Sequence, residues 1–403
     1  MIAEIFKGNG NGRLSAPPSK SMAHRNLICG AFSESSTVSG VDMSKDIEAT
    51  INCLKALGAN VSIDGDKVTV GGLDMASVKD GCELYANESG STLRFMIPIC
   101  LLSNKEITIR GNEKSKLFSR PLDIYERICT ENGLYFNVEN SSVVLKGPIK
   151  NGEYEIPGDV SSQFISGMLF ALPNVVGDSR ITVTGEFESE SYVDLTVSAL
   201  SEFGVKIERP DRKTFLIKGK QHFESKEVTV EGDCSNAAFF EALKRLGSDI
   251  EIEGIRADTK QGDRVYPELF DKIDNKDFPI DISDTPDLAP ILFAYAAVKG
   301  EGRFVGTRRL KIKESDRAEV MREELEKFGA KVSVGENDVT VKCDELLIPT
   351  EPLCAHNDHR IAMSMAVLST VCGGTVLEAE SVAKSFPDFF ERMKALGFKV
   401  IMK

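Results

Sequence analysis

Basic and hydroxyl residues recur in this sequence where a loop is expected to lead into a helix. The first such motif contains Ser19, Lys20 and Ser21, with Arg25 a little more than one helical turn further on. If Ser19 caps a helix, backbone N–H groups, an ammonium and a hydroxyl face the same entrance. This combination favours a carboxylate or phosphate ligand, although a capped surface helix with solvated basic residues explains the same pattern.

Two further turns combine small residues with an arginine. Residues 87–94 read NESGSTLR, where Gly90 lets the backbone approach an anion closely and Arg94 can support the loop or the ligand. Arg120 stands at a Ser-Arg-Pro turn. Ser/Gly-rich turns and solvated arginines are common, so neither segment by itself establishes an anion-binding site.

Two neighbouring serines begin an apolar helical segment. Ser161 and Ser162 precede Gln163, and the residues that follow are mostly apolar. Tandem hydroxyl groups at a helix start bind phosphate without a formal charge, and a plain serine N-cap explains the motif equally well. Both interpretations stay open.

Carboxylates next to cations indicate acid–base chemistry. Asp287 follows a proline at an expected helix start, and Glu314 lies within the sequence Lys-Glu-Ser-Asp-Arg. Lys313 and Arg317 are four residues apart, so in a helix they share a face. Such cations can tune the ionisation of Glu314. A helix cap and a salt-bridged charge run are the simpler explanations.

The last two motifs also favour binding of an anionic ligand over binding of a metal ion. Arg360 enters an apolar helix, and Lys384 stands before a helix that starts at a proline. His356 and His359 lie beside Arg360, but no third ligand at a metal-site spacing follows them. Together, cations at loop-to-helix junctions predict a cleft for a pair of small, multiply anionic ligands.

The composition narrows the class of protein. The 403 residues include 49 Lys and Arg against 62 Asp and Glu, a net charge of −13, which argues against a general binder of nucleic acid or anionic membranes. Nine scattered cysteines without a CxxC pair indicate a reduced intracellular protein. No secretory pattern or long apolar span is visible, so we expect a cytoplasmic location.

One supersecondary pattern must position these residues. A helical apolar spacing, a glycine and then alternating apolar residues occur six times, around Gly58, Gly133, Gly204, Gly247, Gly329 and Gly397. Four of the five spacings are near ~70–80 residues, which predicts repeated units. The short spacing, between Gly204 and Gly247, favours a domain boundary.

The ordered motifs PSKSMAHR, SGSTLRF, SSQFISG, KIKESDR, NDHRIAM and AKSFPDFF resemble the 5-enolpyruvylshikimate-3-phosphate synthase family along essentially the whole chain. The resemblance implies an α/β (α+β) fold: a two-domain inside-out α/β barrel of six βαβαββ repeats, three per domain. It implies a discontinuous domain of residues 1–14 and 230–403 on the phosphoenolpyruvate side. It also implies an inserted domain of residues 15–229 on the shikimate 3-phosphate side, with the active site in the cleft between them.

The resemblance also implies a reaction. The enolpyruvyl group of phosphoenolpyruvate moves to the 5-hydroxyl of shikimate 3-phosphate, and phosphate leaves, in the shikimate pathway to chorismate and aromatic amino acids. The family needs no metal and no organic cofactor, and a cytoplasmic monomer without nucleic-acid or membrane partners is expected.

Matching positions imply the site residues. Those implied in catalysis are Asp287, Glu314, Lys20 and Lys384. Those implied to bind shikimate 3-phosphate are Lys20, Ser21, Arg25, Ser161, Ser162, Gln163, Ser189, Asp287 and Lys313. Those implied to bind phosphoenolpyruvate are Lys20, Gly90, Arg120, Gln163, Arg317, Arg360 and Lys384. Asp287 would take the 5-hydroxyl proton and Glu314 would exchange the methylene proton.

Other functions compete with this one. A sister enzyme transfers enolpyruvyl to UDP-N-acetylglucosamine, but it carries a Lys-Asn where this chain has Lys20-Ser21, and a reactive loop cysteine where Cys129 lies in a helix-like stretch. A non-catalytic binding protein on the same scaffold is a second alternative, against which the intact Asp287, Glu314 and Lys384 argue. An RNA-end-processing enzyme would need basic patches. Phe95 replaces the proline found in many family members, which puts the contacts of the 87–95 loop in question.

Overall fold

The computed structural model describes all residues, Met1–Lys403. The chain forms two compact units. The terminal unit consists of Met1–Pro17 and Gly232–Lys403, and the inserted unit consists of Pro18–Glu231. Each unit has its own buried apolar core.

Strands and helices alternate along the chain. The strands are β1 Ile2–Ile5, β2 Asn11–Ser15, β3 Ser36–Ser39, β4 Asn60–Asp64, β5 Lys67–Gly71, β6 Cys82–Tyr85, β7 Glu106–Arg110, β8 Tyr135–Glu139, β9 Ser142–Lys146, β10 Glu153–Pro157, β11 Ser179–Thr184, β12 Ile207–Asp211, β13 Thr214–Ile217, β14 Glu227–Thr229, β15 Asp249–Glu253, β16 Ile280–Asp281, β17 Glu301–Val305, β18 Lys331–Val334, β19 Asp338–Lys342, β20 Leu353–Cys354, β21 Gly374–Leu377 and β22 Val400–Met402. The α-helices are α1 Lys20–Phe32, α2 Lys45–Ala56, α3 Gly90–Cys100, α4 Asp123–Glu131, α5 Ser162–Ala171, α6 Glu190–Glu202, α7 Cys234–Arg245, α8 Tyr266–Asp274, α9 Ala289–Lys299, α10 Arg317–Glu326, α11 His359–Cys372 and α12 Phe389–Ala395.

A βαβαββ order builds the sheets of the inserted unit. Strands β6, β7, β8 and β9 form one sheet in the order β6-β7-β9-β8. Its β6–β7 pair is parallel and is connected through α3, whereas β8 and β9 form an antiparallel hairpin. The order β10-β11-β13-β12 repeats this arrangement. In the third sheet, β14-β3-β5-β4, the parallel partner of β3 comes from the far end of the unit.

The terminal unit contains two similar sheets and one reduced sheet. The order β16-β17-β19-β18 repeats the pattern, and β20-β21-β1-β22 repeats it with the N-terminal strand β1 between β21 and β22. The remaining sheet has only the parallel strands β15 and β2. In the complete copies the hairpin follows the second helix, but here only residues 275–279 separate α8 from β16, so this copy has no room for the two further strands.

Helices are buried and sheet faces are exposed in both units. In α9 the residues from Ala289 to Ala297 are all buried, as are nearly all residues of α5 and α11. In contrast, β4 is mostly exposed, and Tyr135 on β8 is half exposed. A helix that is apolar on all sides belongs in a core, which is why the helices lie inside these sheets. No helix is both long and apolar enough to cross a bilayer.

The predicted helix–glycine–strand transitions are confirmed. All six glycines have a positive φ, between +64° at Gly133 and +109° at Gly247. Each stands after a helix and directly or shortly before a strand. After Gly58 the chain forms a hairpin around Gly65, in which Asp64 pairs with Lys67 across a two-residue turn.

Candidate active site

Lys20 is the first residue of α1 and lies against α2. Its Nζ donates to Asp46 Oδ2 at 2.8 Å, and both side chains are mostly buried. Ser19 occupies the N-cap position, but its hydroxyl accepts no hydrogen bond from the first turn of the helix. The predicted helix start is therefore correct, and the cap itself is absent. Nothing in the sequence pointed to Asp46.

Gly90 begins α3, directly after the N-cap Ser89, whose Oγ accepts from the Thr92 N–H. A Cβ atom at Gly90 would lie 2.5 Å from Arg120 Nη1. The structure thus places the guanidinium of Arg120 against the N-terminus of a helix. Backbone N–H groups and a guanidinium at one place favour an anion.

Gln163 connects α5 to α3. Its Oε1 accepts from Arg94 Nη1 at 2.8 Å, and its Nε2 donates to Ser91 Oγ at 2.9 Å. Ser161 is the N-cap of α5, with its Oγ accepting from the Gln163 N–H at 3.3 Å. Ser162 is the first residue of the helix. The start of α5, with its two serines, therefore lies beside the start of α3.

Arg25 connects α1 to α6. Its Nε donates to Thr196 Oγ1 and its Nη2 to the Tyr192 carbonyl, both at 2.8 Å, while Nη1 donates to the Ser21 carbonyl. Burial lowers the pKa of Arg25 to about 10. Ser189 is buried and lies directly before α6, with φ +52°. In this structure Arg25 orients neighbouring elements, and its implied contact with a substrate stays a prediction.

The terminal unit holds a second polar cluster around Asp287. The Asp287 carboxylate precedes α9 and accepts from Arg317 Nη1 at 2.8 Å and from Arg360 Nη2 at 3.0 Å. Lys313 Nζ lies 3.4 Å from the same carboxylate. Burial alone would raise the pKa of Asp287, but the charges of Arg360, Lys313 and Arg317 outweigh it and hold that pKa well below its usual range.

Arg317 joins three carboxylates. Besides Asp287, its Nη2 donates to Glu314 Oε2 at 2.7 Å and its Nε to Asp358 Oδ2 at 2.9 Å. The guanidinium is 1% exposed. The two predicted acid–base carboxylates, Asp287 and Glu314, are thus brought to one cation. Asp358, the N-cap of α11, was not predicted; its capping position could be recognised in the sequence, but its contact with Arg317 could not.

Arg360 and Lys384 complete this cluster. Arg360 Nη2 also donates to Ser235 Oγ at 2.9 Å, in the first turn of α7. Lys384 Nζ donates to the Asn357 carbonyl at 2.7 Å, just before α11. Ser235 was not predicted, because its relation to Arg360 spans 125 residues. The starts of α7, α10 and α11 and the turn before α9 therefore converge.

In each unit, cations and helix starts converge in an arrangement that favours an anionic ligand. Burial lowers the pKa of Lys313 in the terminal unit, yet the neighbouring carboxylate favours its charged form. Asp287 and Glu314, which both bind Arg317, are carboxylates of the type that acts in general acid–base catalysis. No group of three or more His, Cys, Asp or Glu side chains is arranged to hold a metal ion.

Comparisons with known proteins match nearly the whole chain. The family model described as EPSP synthase (3-phosphoshikimate 1-carboxyvinyltransferase) matches residues 7–393. A protein of Clostridium perfringens (strain ATCC 13124) named 3-phosphoshikimate 1-carboxyvinyltransferase is 39% identical, over 96% of each chain. One of the same name from Clostridium botulinum (strain Alaska E43) is 38% identical, over 98% of this chain and 97% of its own length.

Solved structures share the fold. EPSP synthase from Acinetobacter baumannii superposes with a TM-score of 0.79 over 100% of both chains at 23% identity. The enolpyruvyl transferase NikO from Streptomyces tendae gives a TM-score of 0.75 over 99% of this chain and 98% of its own, at 16% identity. The fold class and the family resemblance predicted from the sequence are confirmed. The chain belongs to the EPSP synthase family.

Proposed function

We propose that this chain transfers the enolpyruvyl group of phosphoenolpyruvate to the 5-hydroxyl of shikimate 3-phosphate, releasing phosphate. Family membership and the names of the curated relatives support this activity. The observation that carries it is the Asp287 carboxylate, which lies within hydrogen-bonding or ion-pairing distance of Arg317, Arg360 and Lys313. A carboxylate held ionised among cations suits a proton acceptor for substrates that are themselves anions.

The residue types suit the two substrates, each of which carries a carboxylate and a phosphate. In this proposal Arg317 and Arg360 clamp the phosphoenolpyruvate carboxylate, because a guanidinium fork matches its planar geometry. Its phosphate is bound by Gly90, Arg120 and Lys384, and Lys20 and Gln163 also contact phosphoenolpyruvate. Shikimate 3-phosphate is bound by Lys20, Ser21, Arg25, Ser161, Ser162, Gln163, Ser189, Asp287 and Lys313.

The reaction proceeds by addition and elimination. The 5-hydroxyl oxygen bonds to C2 of phosphoenolpyruvate as Asp287 accepts the hydroxyl proton and Glu314 gives a proton to the methylene carbon. The resulting tetrahedral intermediate then loses a methyl proton to Glu314, the C2–O bond to phosphate breaks, and phosphate leaves with help from Lys20 or Lys384. Both units contribute groups to this proposal, which assigns residues 1–14 and 230–403 to the phosphoenolpyruvate side and residues 15–229 to the shikimate 3-phosphate side.

A phosphate-release assay tests the proposed function. Phosphoenolpyruvate is supplied with shikimate 3-phosphate or, in parallel, with UDP-N-acetylglucosamine, in the presence of a chelator. Release only with shikimate 3-phosphate is the expected result, and it also tests the proposal that the enzyme needs no metal. Release with the sugar nucleotide would assign the sister reaction, and no release with either from folded protein would favour a binding role. We further propose that the protein is a cytoplasmic monomer. Sedimentation measurements test the oligomeric state.

A further inference from the structure

Glu324 and His356 form a pair in the terminal unit that the proposed chemistry does not use. Glu324 Oε1 lies 3.1 Å from His356 Nε2. Glu324 is 1% exposed, and it also accepts hydrogen bonds from Lys327 Nζ and from the Cys354 N–H at 2.9 Å. A buried carboxylate is costly unless it is paired, so these contacts fix the Glu324 side chain.

The same helix face carries Arg317. Glu324 follows Arg317 by seven residues on α10, which is close to two full turns, so both side chains point to one side of the helix. Arg317 binds Asp358, whereas Glu324 binds Cys354 and His356. Helix α10 therefore holds both ends of the 354–358 segment, which leads from β20 to α11.

Between these two ends the backbone is left-handed. His356 has φ +50° and Asn357 has φ +54°, a conformation that is uncommon for residues other than glycine, although asparagine and histidine adopt it more readily than most. Such a conformation persists only where surrounding contacts hold it. The contacts here are the His356 ring on Glu324 and the Asn357 N–H, which donates to Glu378 Oε2 at 2.7 Å.

This turn carries the acceptor for Lys384. The Asn357 carbonyl accepts from Lys384 Nζ at 2.7 Å, and Lys384 is buried apart from 8% of its surface. The direction of that carbonyl depends on the left-handed conformation at Asn357. The position of the Lys384 ammonium therefore depends on the contacts that hold the turn.

We propose that Glu324 and His356 are positioning residues that place the Lys384 ammonium for the phosphate of phosphoenolpyruvate, acting through the Asn357 carbonyl. The part concerning phosphoenolpyruvate rests on the proposed function. The placement of Lys384 by the turn rests only on the contacts within the terminal unit. Neither positioning residue is assigned a contact with substrate.

Two substitutions at one position separate hydrogen bonding from packing. His356→Phe keeps a flat ring but removes the hydrogen bond to Glu324, and His356→Gln keeps an N–H group that can donate to it. The Phe variant is expected to raise the KM for phosphoenolpyruvate about tenfold, because a charge-assisted hydrogen bond in the network is lost. The KM of the Phe variant for shikimate 3-phosphate stays within about twofold of the wild-type value. The KM of the Gln variant for phosphoenolpyruvate returns most of the way to the wild-type value.

Arg322→Ala is the matched control. It breaks a half-exposed pair with Glu319 on the same helix and leaves both KM values unchanged.

A second measurement does not require turnover. Acetic anhydride modifies lysine amines, and mass spectrometry follows the rate at Lys384. We expect several-fold faster acetylation of Lys384 in His356→Phe than in the wild type, and a nearly wild-type rate in His356→Gln.

The KM values and the acetylation rates together show which part of the proposal fails. Unchanged Lys384 acetylation in folded His356→Phe would overturn the placement of Lys384, as would an equal rise in both KM values accompanied by a lower melting temperature. An unchanged KM for phosphoenolpyruvate would overturn its link to the substrate phosphate. If the wild type does not turn over shikimate 3-phosphate, the proposed function fails, and the acetylation rates still decide whether the turn places Lys384.

Discussion

Asp287 and Arg317 form a 2.8 Å ion pair between the turn before α9 and the first residue of α10. In the proposed mechanism these two residues have different partners, since Arg317 binds the phosphoenolpyruvate carboxylate and Asp287 takes a proton. A substrate carboxylate that engages Arg317 must therefore weaken its bond to Asp287. Because that bond helps to hold the pKa of Asp287 low, substrate binding would raise the pKa and make Asp287 a stronger base.

Asp287→Ala is expected to lower kcat by at least ~100-fold, because the 5-hydroxyl loses its proton acceptor. Phosphate release at saturating concentrations of both substrates measures this effect. Since the substitution also leaves Arg317 and Arg360 without a carboxylate partner, the melting temperature must be recorded alongside. Near-normal turnover in a folded variant would remove Asp287 from the proton-transfer role.

Glu314→Gln keeps an oxygen that can accept from Arg317 but cannot exchange a proton with the methylene carbon. We expect kcat to fall by about 100-fold while the KM for phosphoenolpyruvate changes much less. Exchange of the methylene protons with deuterium from the solvent should fall in parallel. Glu319→Gln, a half-exposed carboxamide substitution two residues into α10, is the control. Unchanged exchange in Glu314→Gln would assign the methylene proton to another group.

Gly90→Ala tests the contact between α3 and Arg120. The new Cβ would lie 2.5 Å from Arg120 Nη1, so the guanidinium must move away from the start of the helix. The expected result is a KM for phosphoenolpyruvate about tenfold higher, with a smaller change in kcat, since a charge-assisted contact to phosphate is weakened.

Gly152→Ala is the matched substitution, because it lies in the same unit, has open space around the new Cβ and has no positive φ. It should leave both constants unchanged. A wild-type KM in Gly90→Ala would mean that Arg120 relaxes without losing the phosphate, or does not bind it.

Features that depend on a few neighbouring residues could be predicted from the sequence. The helix–glycine–strand transitions were predictable because a left-handed residue after a helix strongly favours glycine, as at Gly58. Helix starts such as those at Lys20 and Ser162 were predictable from polar residues before apolar segments. The local chemistry of each half of the site followed from these starts.

Contacts between distant segments could not be predicted in this way. The bonds from Arg360 to Ser235 and from Arg317 to Asp358 join residues 125 and 41 positions apart, and no local preference encodes them. Ser19 shows a subtler limit, because its type and position both suit a cap, yet its hydroxyl does not accept from the helix. The reduced two-stranded sheet was also missed, since Gly247 carries the same signal as the complete repeats.

The pair of Glu324 and His356 makes stability depend on pH near neutrality. The hydrogen bond to Glu324 raises the pKa of His356 above the value of 6.5 against the effect of burial, and the charges of Glu323 and Glu378 add to it. Lys327, bound to the same Glu324, is the cation facing this network. A raised pKa means that the folded state binds the proton more tightly than the unfolded chain does.

The stabilising contribution of His356 is therefore fully present below pH 6.5 and is lost as the pH rises through the folded-state pKa. We expect the free energy of unfolding of the wild type to exceed that of His356→Gln by more at about pH 6 than at about pH 9. Urea denaturation of both proteins at the two pH values measures this difference. His222→Gln, at an exposed histidine of the inserted unit, is the control and should show the same difference from the wild type at both. If the free energy of unfolding differs between the wild type and His356→Gln by the same amount at both pH values, folding is not coupled to protonation of His356. His356 would then donate to Glu324 as a neutral ring.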